Sequence, residues 1–134
     1  MYPVKDIPIS TPYGAVGKIW KRGWHDGVDF ACKTGTPVYA ARRGVVTPNS
    51  WGADYGKHIV QRRTYPLGTK NHLVYAHLSK VFVKPGEKIK KGQLIGLTGN
   101  TGKSTAPHLH FGERNGARWS TSQPVNPQQT LWAE

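Results

Sequence analysis

The stretch VFVKPGEKIKKGQLIGLTGNTG, residues 81–102, is cut by glycines at 86, 92, 96, 99 and 102 into apolar pieces a few residues long. A glycine in a helix interior costs roughly 0.5–1 kcal/mol relative to alanine. A chain punctuated this densely is suited to short strands joined by tight turns, not to long helices. The pattern is not local, since the 134 residues include 16 Gly and 10 Pro. GVDFACK, VYAAR, VVTP, KHIVQRR, HLVYAHLS and HLHFGERN all read as strands separated by turn-rich text such as TGTP and TYPLGTKN. No long stretch shows helical periodicity. The expectation is a mainly β domain over residues 1–134, with many short strands and few or no helices. The tail, TSQPVNPQQTLWAE, reads as polar and proline-bearing with an apolar anchor at Leu131 and Trp132.

The length suits one domain with a real core and is too short for two. No apolar run approaches the roughly 20 residues of a membrane span. The first 20 residues, MYPVKDIPISTPYGAVGKIW, show no secretory signal. The single cysteine, Cys32, excludes an internal disulfide and a multi-cysteine zinc cage, and strand alternation assigns it to the buried side. The net charge of +12 calls for a polyanionic partner: nucleic acid, a membrane surface or an anionic cell wall. The basic residues are scattered (Lys18, Lys21, Arg22, Arg42, Arg43, Arg62, Arg63, Lys88, Lys90, Lys91) and do not form the arm or helix face of a dedicated DNA reader.

Polar chemistry collects around histidine. In PHLHFGE, residues 107–113, strand alternation puts His108 and His110 on one face and Leu109 and Phe111 on the other. In GWHDGVDFACK, His25 and Asp29 are four apart and share a face in an extended segment, with Gly27 between them leaving it open. Val28 and Phe30 point to the core, and Asp26 points away from His25 toward solvent. Zinc takes N and O donors at about 2.0–2.2 Å, and a catalytic site keeps one of four positions for water. His25, Asp29 and one of His108 or His110 make such a set. The remaining histidine would stand beside the metal, able to take a proton or stabilise an oxyanion. A lone His–Asp pair is more often a hydrogen bond, and a lone HLH more often a polar strand face. Together, with glycines flanking both, they favour a metal site.

With HDGVD at 25–29, YAHLS at 75–79, HLH at 108–110 and the framing text GTPVYAARRGVV at 35–46, the chain resembles the lysostaphin-type (LytM-like) zinc endopeptidases that cut peptidoglycan peptides. The resemblance covers roughly residues 12–131. It implies a mainly antiparallel β-structure with a narrow groove, zinc on its floor, and loops as walls that select the substrate. It also implies that His25, Asp29 and His110 are the zinc ligands and that His77 and His108 are the catalytic histidines that assist a zinc-bound water. Tyr75 and His77 are expected on one strand face, with Ala76 and Leu78 on the other. The Gly99–Gly102 turn is expected to line the groove, and the loops at 47–57 and 64–72 to choose the bond. His58 is expected on a polar strand face and His72 at a loop edge.

The implied partner is a peptidoglycan stem peptide or cross-bridge, with anionic wall polymers as a salt-dependent second contact, no nucleic acid, no membrane and a monomeric state. A short, basic, leaderless wall peptidase looks like a bacteriophage endolysin held in the host cytoplasm until release, or a secreted autolysin domain with its leader removed. Three rivals are weaker. A non-catalytic wall-binding or hydrolase-activating domain of this fold usually lacks a ligand, and all five positions are filled here. A biotinyl or lipoyl carrier, suggested by VKPGEKIKKGQLIG, needs a modifiable lysine in a setting such as Met-Lys-Met, and the chain has none. A nucleic-acid binder leaves the His/Asp set unexplained.

Overall fold

The short apolar pieces become nine strands among the described residues. The computed structural model describes residues 1–20, 22–48, 50–64, 69–116, 118 and 120–130. The strands are β1 (Val28–Ala31), β2 (Pro37–Tyr39), β3 (Gly44–Val46), β4 (Lys57–Arg62), β5 (Asn71–Val81), β6 (Lys88–Ile89), β7 (Leu94–Thr98), β8 (His108–Asn115) and β9 (Gln123–Val125). A 3-10 turn at Ala53–Tyr55 and a single helical turn, α1 (Pro127–Thr130), are the helical elements among the described residues. None of these is long and apolar enough to cross a membrane.

Among the described residues all strand pairs are antiparallel and form one sheet with the main order β1-β8-β5-β4-β3-β6. β7 joins β5 to β2, and β9 adds to β8. The spine is β5. Its first part, Asn71–Ala76, pairs with β8, and Leu78–Val81 turns to β7. Asn71–Leu78 is buried throughout because both faces are covered. On one face Leu73 and Tyr75 join Phe30, Leu109, Phe111 and Ile95 in the main core. On the other, Val74 packs with Val60 and Trp51. Each fully buried apolar side chain of this size contributes about 1.5–3 kcal/mol. The core also encloses partnered polar groups: the Tyr75 hydroxyl donates to Gln61 and accepts from the Ala41 N–H, and the Glu113 carboxylate accepts from the Asn71 amide at 2.7 Å.

The tail adds a strand that the sequence reading did not name. Residues 123–125 form β9 at the sheet edge, pairing Glu113 with Val125 and Arg114 with Pro124. An edge strand tolerates proline because one side of its ladder goes unpaired. Leu131 and Trp132 lie outside the described residues. Cys32 is also corrected: it lies just beyond the end of β1, is half-buried, and its thiol donates to the Phe30 carbonyl.

Candidate active site

β1 and β8 pair so that Asp29 lies directly opposite His110. Val28, Phe30, Leu109 and Phe111 enter the core. Alternation therefore sends Asp29, His108 and His110 to the other face. His25 precedes β1, in a ribbon closed by bonds from the His25 N–H to the Ala15 carbonyl and from the Gly14 N–H to the His25 carbonyl. Its Nδ1 donates to the Pro12 carbonyl at 3.1 Å, and the Trp20 ring stacks on it at 4.9 Å. Nε2 is thereby left facing inward. Gly27 is required here, because a Cβ would meet the His110 Cε1 and the Phe111 carbonyl oxygen, each at 2.7 Å.

Three donor atoms converge. His25 Nε2 is 3.1 Å from Asp29 Oδ1, His110 Nδ1 is 3.0 Å from the same oxygen, and the two nitrogens are 3.2 Å apart. These separations match the roughly 3.3 Å edge of a tetrahedron with about 2.0–2.1 Å bonds. The two nitrogens and one carboxylate oxygen fit a small divalent ion that accepts N and O donors. Burial opposes ionisation of Asp29, but the hydrogen bonds and charges of His110 and His25 outweigh it and hold the carboxyl well below the usual carboxylate range. Burial likewise opposes protonation of His25, yet the adjoining Asp29 raises its pKa overall. An anionic oxygen between two imidazoles attracts a cation.

His77 arrives by a different route. Ile59 pairs with Tyr75 and Lys57 with Leu78, so Ala76 and His77 together oppose the single residue His58. This is a β-bulge, which inserts one residue and re-aims the chain. His77 takes a left-handed φ of 63°, which costs on the order of 1–3 kcal/mol for a residue with a Cβ. The expectation that Tyr75 and His77 share a face is corrected: Tyr75 and Leu78 both enter the main core, and His77 leaves it. Unbroken alternation would have driven an imidazole into that core. His77 instead lies 4.7 Å from His108, ring centre to ring centre, and 6.1 Å from His110.

One loop orients both of these histidines. His77 Nδ1 donates to the Thr101 carbonyl at 2.7 Å, and His108 Nδ1 to the Ala106 carbonyl at 2.8 Å. Only a protonated ring nitrogen can donate to a carbonyl, so Nε2 of each neutral ring is a proton acceptor. His108 Nε2 lies 3.9 Å from Asp29 Oδ2. Burial, helped by the repulsion that a proton on the neighbouring His108 or His110 rings would exert, pushes the His77 pKa down to about 4. The Gly99–Gly102 turn thus borders the histidine cluster.

Other readings change. Asp26 is not merely solvated: it accepts from the buried Arg114 guanidinium at 2.8 Å, with its other oxygen 4.0 Å from His110 Nε2. His72 is no loop-edge residue but lies buried inside β5, where Nδ1 donates to the Lys70 carbonyl. His58, in β4, has both ring nitrogens engaged: Nδ1 donates to Gly56 and Nε2 accepts from the Trp51 N–H. It braces the 51–56 loop. That loop carries Tyr55 to 5.7 Å from the His110 ring. Trp20, Tyr55 and Arg114 were not foreseen, because loop placement and a side-chain pair 88 residues apart in the chain bring them here. Of the loops expected to choose the bond, residues 49 and 65–68 lie outside the described set.

The sequence profile of Peptidase family M23 matches residues 23–127. The peptidoglycan DD-endopeptidase ShyA of Vibrio cholerae is 45% identical over 87 residues, covering 65% of this chain and 19% of the relative. The DD-carboxypeptidase/endopeptidase Mpg of Neisseria meningitidis is 38% identical over 130 residues, covering 93% of this chain and 27% of the relative. The chain thus spans about a fifth to a quarter of the length of these relatives. Among solved structures, the catalytic domain of the antimicrobial peptidase lysostaphin from Staphylococcus simulans superposes with a TM-score of 0.80 at 38% identity, covering 95% of this chain and 93% of that one.

Proposed function

The chain belongs to Peptidase family M23, and from that premise we propose that it is a zinc-dependent endopeptidase that hydrolyses peptide bonds in bacterial peptidoglycan. The observation that carries this reading is the convergence of His25, Asp29 and His110 within 4.8 Å, with the acceptor nitrogens of His77 and His108 beside them. His25 Nε2, Asp29 Oδ1 and His110 Nδ1 would hold the zinc. The bound ion supplies Lewis acidity and acidifies water at its open position.

The rest of the work falls to the chain's own residues. A neutral His77 or His108 takes a proton from the attacking water at Nε2, an aid typically worth ~10²–10⁴-fold. The imidazolium so formed becomes a donor at that same nitrogen. It can then stabilise the oxyanion or return the proton to the departing amine. The low pKa of His77 keeps its ring neutral at neutral pH. Asp26, held by Arg114, adds negative charge behind His110. The groove walls would come from residues 13–20 and 22–24 and from the 51–56 loop, which bring Trp20 and Tyr55 against His25 and His110. Stem peptides and wall polymers carry carboxylates and phosphates, so a domain of charge +12 is drawn to the wall in a salt-dependent way.

The test pairs elemental analysis of the purified protein with a turbidity assay on bacterial walls before and after chelation. We expect about one zinc per chain, with lysis abolished by chelator and restored by zinc. No zinc and no lysis even with zinc added would overturn the reading in favour of a non-catalytic wall-binding domain.

A further inference from the structure

A residue with a Cβ stays in the left-handed region only where its surroundings hold it there. Around His77, Thr101 does the holding. Its hydroxyl donates to the Leu78 carbonyl at 2.7 Å and accepts from the Lys57 N–H at 3.1 Å. Lys57 and Leu78 are register partners across β4 and β5. The hydroxyl therefore stands as a wedge between two ladder groups at the opening left by the bulge. The carbonyl of the same residue takes the His77 Nδ1 proton at 2.7 Å. Two glycines let Thr101 come this close. A Cβ on Gly56 would meet the Thr101 carbonyl carbon at 2.4 Å, and one on Gly102 would meet the Gly56 nitrogen at 2.3 Å. A bond from the Lys103 N–H to the Asp54 carbonyl at 2.9 Å ties the two turns together.

We propose that Thr101 is a positioning residue: its hydroxyl wedge holds the β5 bulge so that His77 faces the metal site, and its carbonyl fixes the His77 tautomer with Nε2 as acceptor. The bonds of Thr101 go to Lys57, Leu78 and His77. It acts through His77.

Thr101→Val keeps the shape and removes the hydroxyl, and Thr101→Ser keeps the hydroxyl and removes the methyl. Two readouts apply. The first is nitrogen-15 NMR of the His77 ring, in protein with and without zinc. The native chain should show Nδ1 protonated and Nε2 bare. Thr101→Val should mix in the other tautomer, and Thr101→Ser should restore the native pattern. The second rests on the endopeptidase reading. Thr101→Val should lower kcat by about 10–100-fold, the range seen when an outer partner of a site residue is removed, with KM and zinc content near native, and Thr101→Ser should recover most of it. A native tautomer in Thr101→Val overturns the proposal. So does a kcat loss that Thr101→Ser fails to rescue, or one accompanied by loss of zinc. Absent lysis in every variant, with the tautomer shift still present, defeats the endopeptidase reading and leaves the role of Thr101 standing.

Discussion

The site has two halves built on opposite principles. The donor half follows regular geometry: Asp29 and His110 are register partners, alternation gives both one face, and the apolar residues between them fill the core. The proton-handling half breaks that geometry. His77 sits at a bulge with left-handed backbone, and backbone carbonyls of one loop orient both His77 and His108. The difference teaches how a sheet can carry two kinds of precision. The ladder sets two donor positions, Asp29 and His110, and needs only a gap at Gly27, while the ribbon that pairs His25 with Gly14 and Ala15 brings in the third. The acceptor nitrogens are set by a loop, which places an imidazole where the ladder alone would bury it.

If the halves are separable, damage to each should appear in a different measurement. His110→Ala should abolish zinc binding and lysis together, read by elemental analysis and turbidity. His77→Ala should keep about one zinc per chain while kcat falls ~10²–10⁴-fold; loss of metal in this variant would erase the distinction. Gly27→Ala, which forces a methyl against the His110 ring and the Phe111 carbonyl, should weaken zinc binding about 10–100-fold, measured by competition with a chromophoric chelator.

Smaller effects sharpen the same contrast. His77→Gly should melt above His77→Ala by the equivalent of about 1 kcal/mol, because glycine takes φ 63° without strain. Equal melting points would mean that the bulge stores no strain. The smallest effect concerns His72, on the regular part of β5. Burial first, and then the charge of Arg62, lower its pKa below 6.5 in the folded chain. The unfolded chain takes up this proton near 6.5 and the folded chain resists it. The stabilisation is therefore full above pH 6.5 and is lost as the pH falls below it, by at most about 1.4 kcal/mol per pH unit. His77 acts in the same direction. Denaturant melts of chelated protein at pH 7.5 and 5.5 should therefore show a smaller drop for His72→Gln than for the native chain, not an unchanged one.

Much of this was legible in the chain alone. The Gly and Pro punctuation foretold many short strands, the resemblance implied that they are antiparallel, and period-two alternation foretold that Val28, Phe30, Leu109 and Phe111 would line the core. The bringing together of His25, Asp29 and the HLH pair followed from spacing and resemblance. The misreadings share one cause. Tyr75 was assigned to the face of His77 because alternation was carried through a bulge that only the pairing of β5 with β4 reveals. Asp26 was assigned to solvent because its partner, Arg114, lies on β8, and His72 to a loop edge because β5 begins earlier than its text suggests. The tail was read only as polar and proline-bearing, with no strand named in it, because three residues pairing at an edge leave almost no periodic signal.

The sequence by itself determined which residue types could meet and on which strand faces, because side-chain direction along a regular strand follows from covalent geometry and chirality. The tertiary structure alone decided where that regularity stops. The bulge at His77, the Thr101 wedge and the Gly56–Gly102 contact arise from chain segments 20 to 50 residues apart. Such contacts depend on how strands pair in space, which local propensity does not encode.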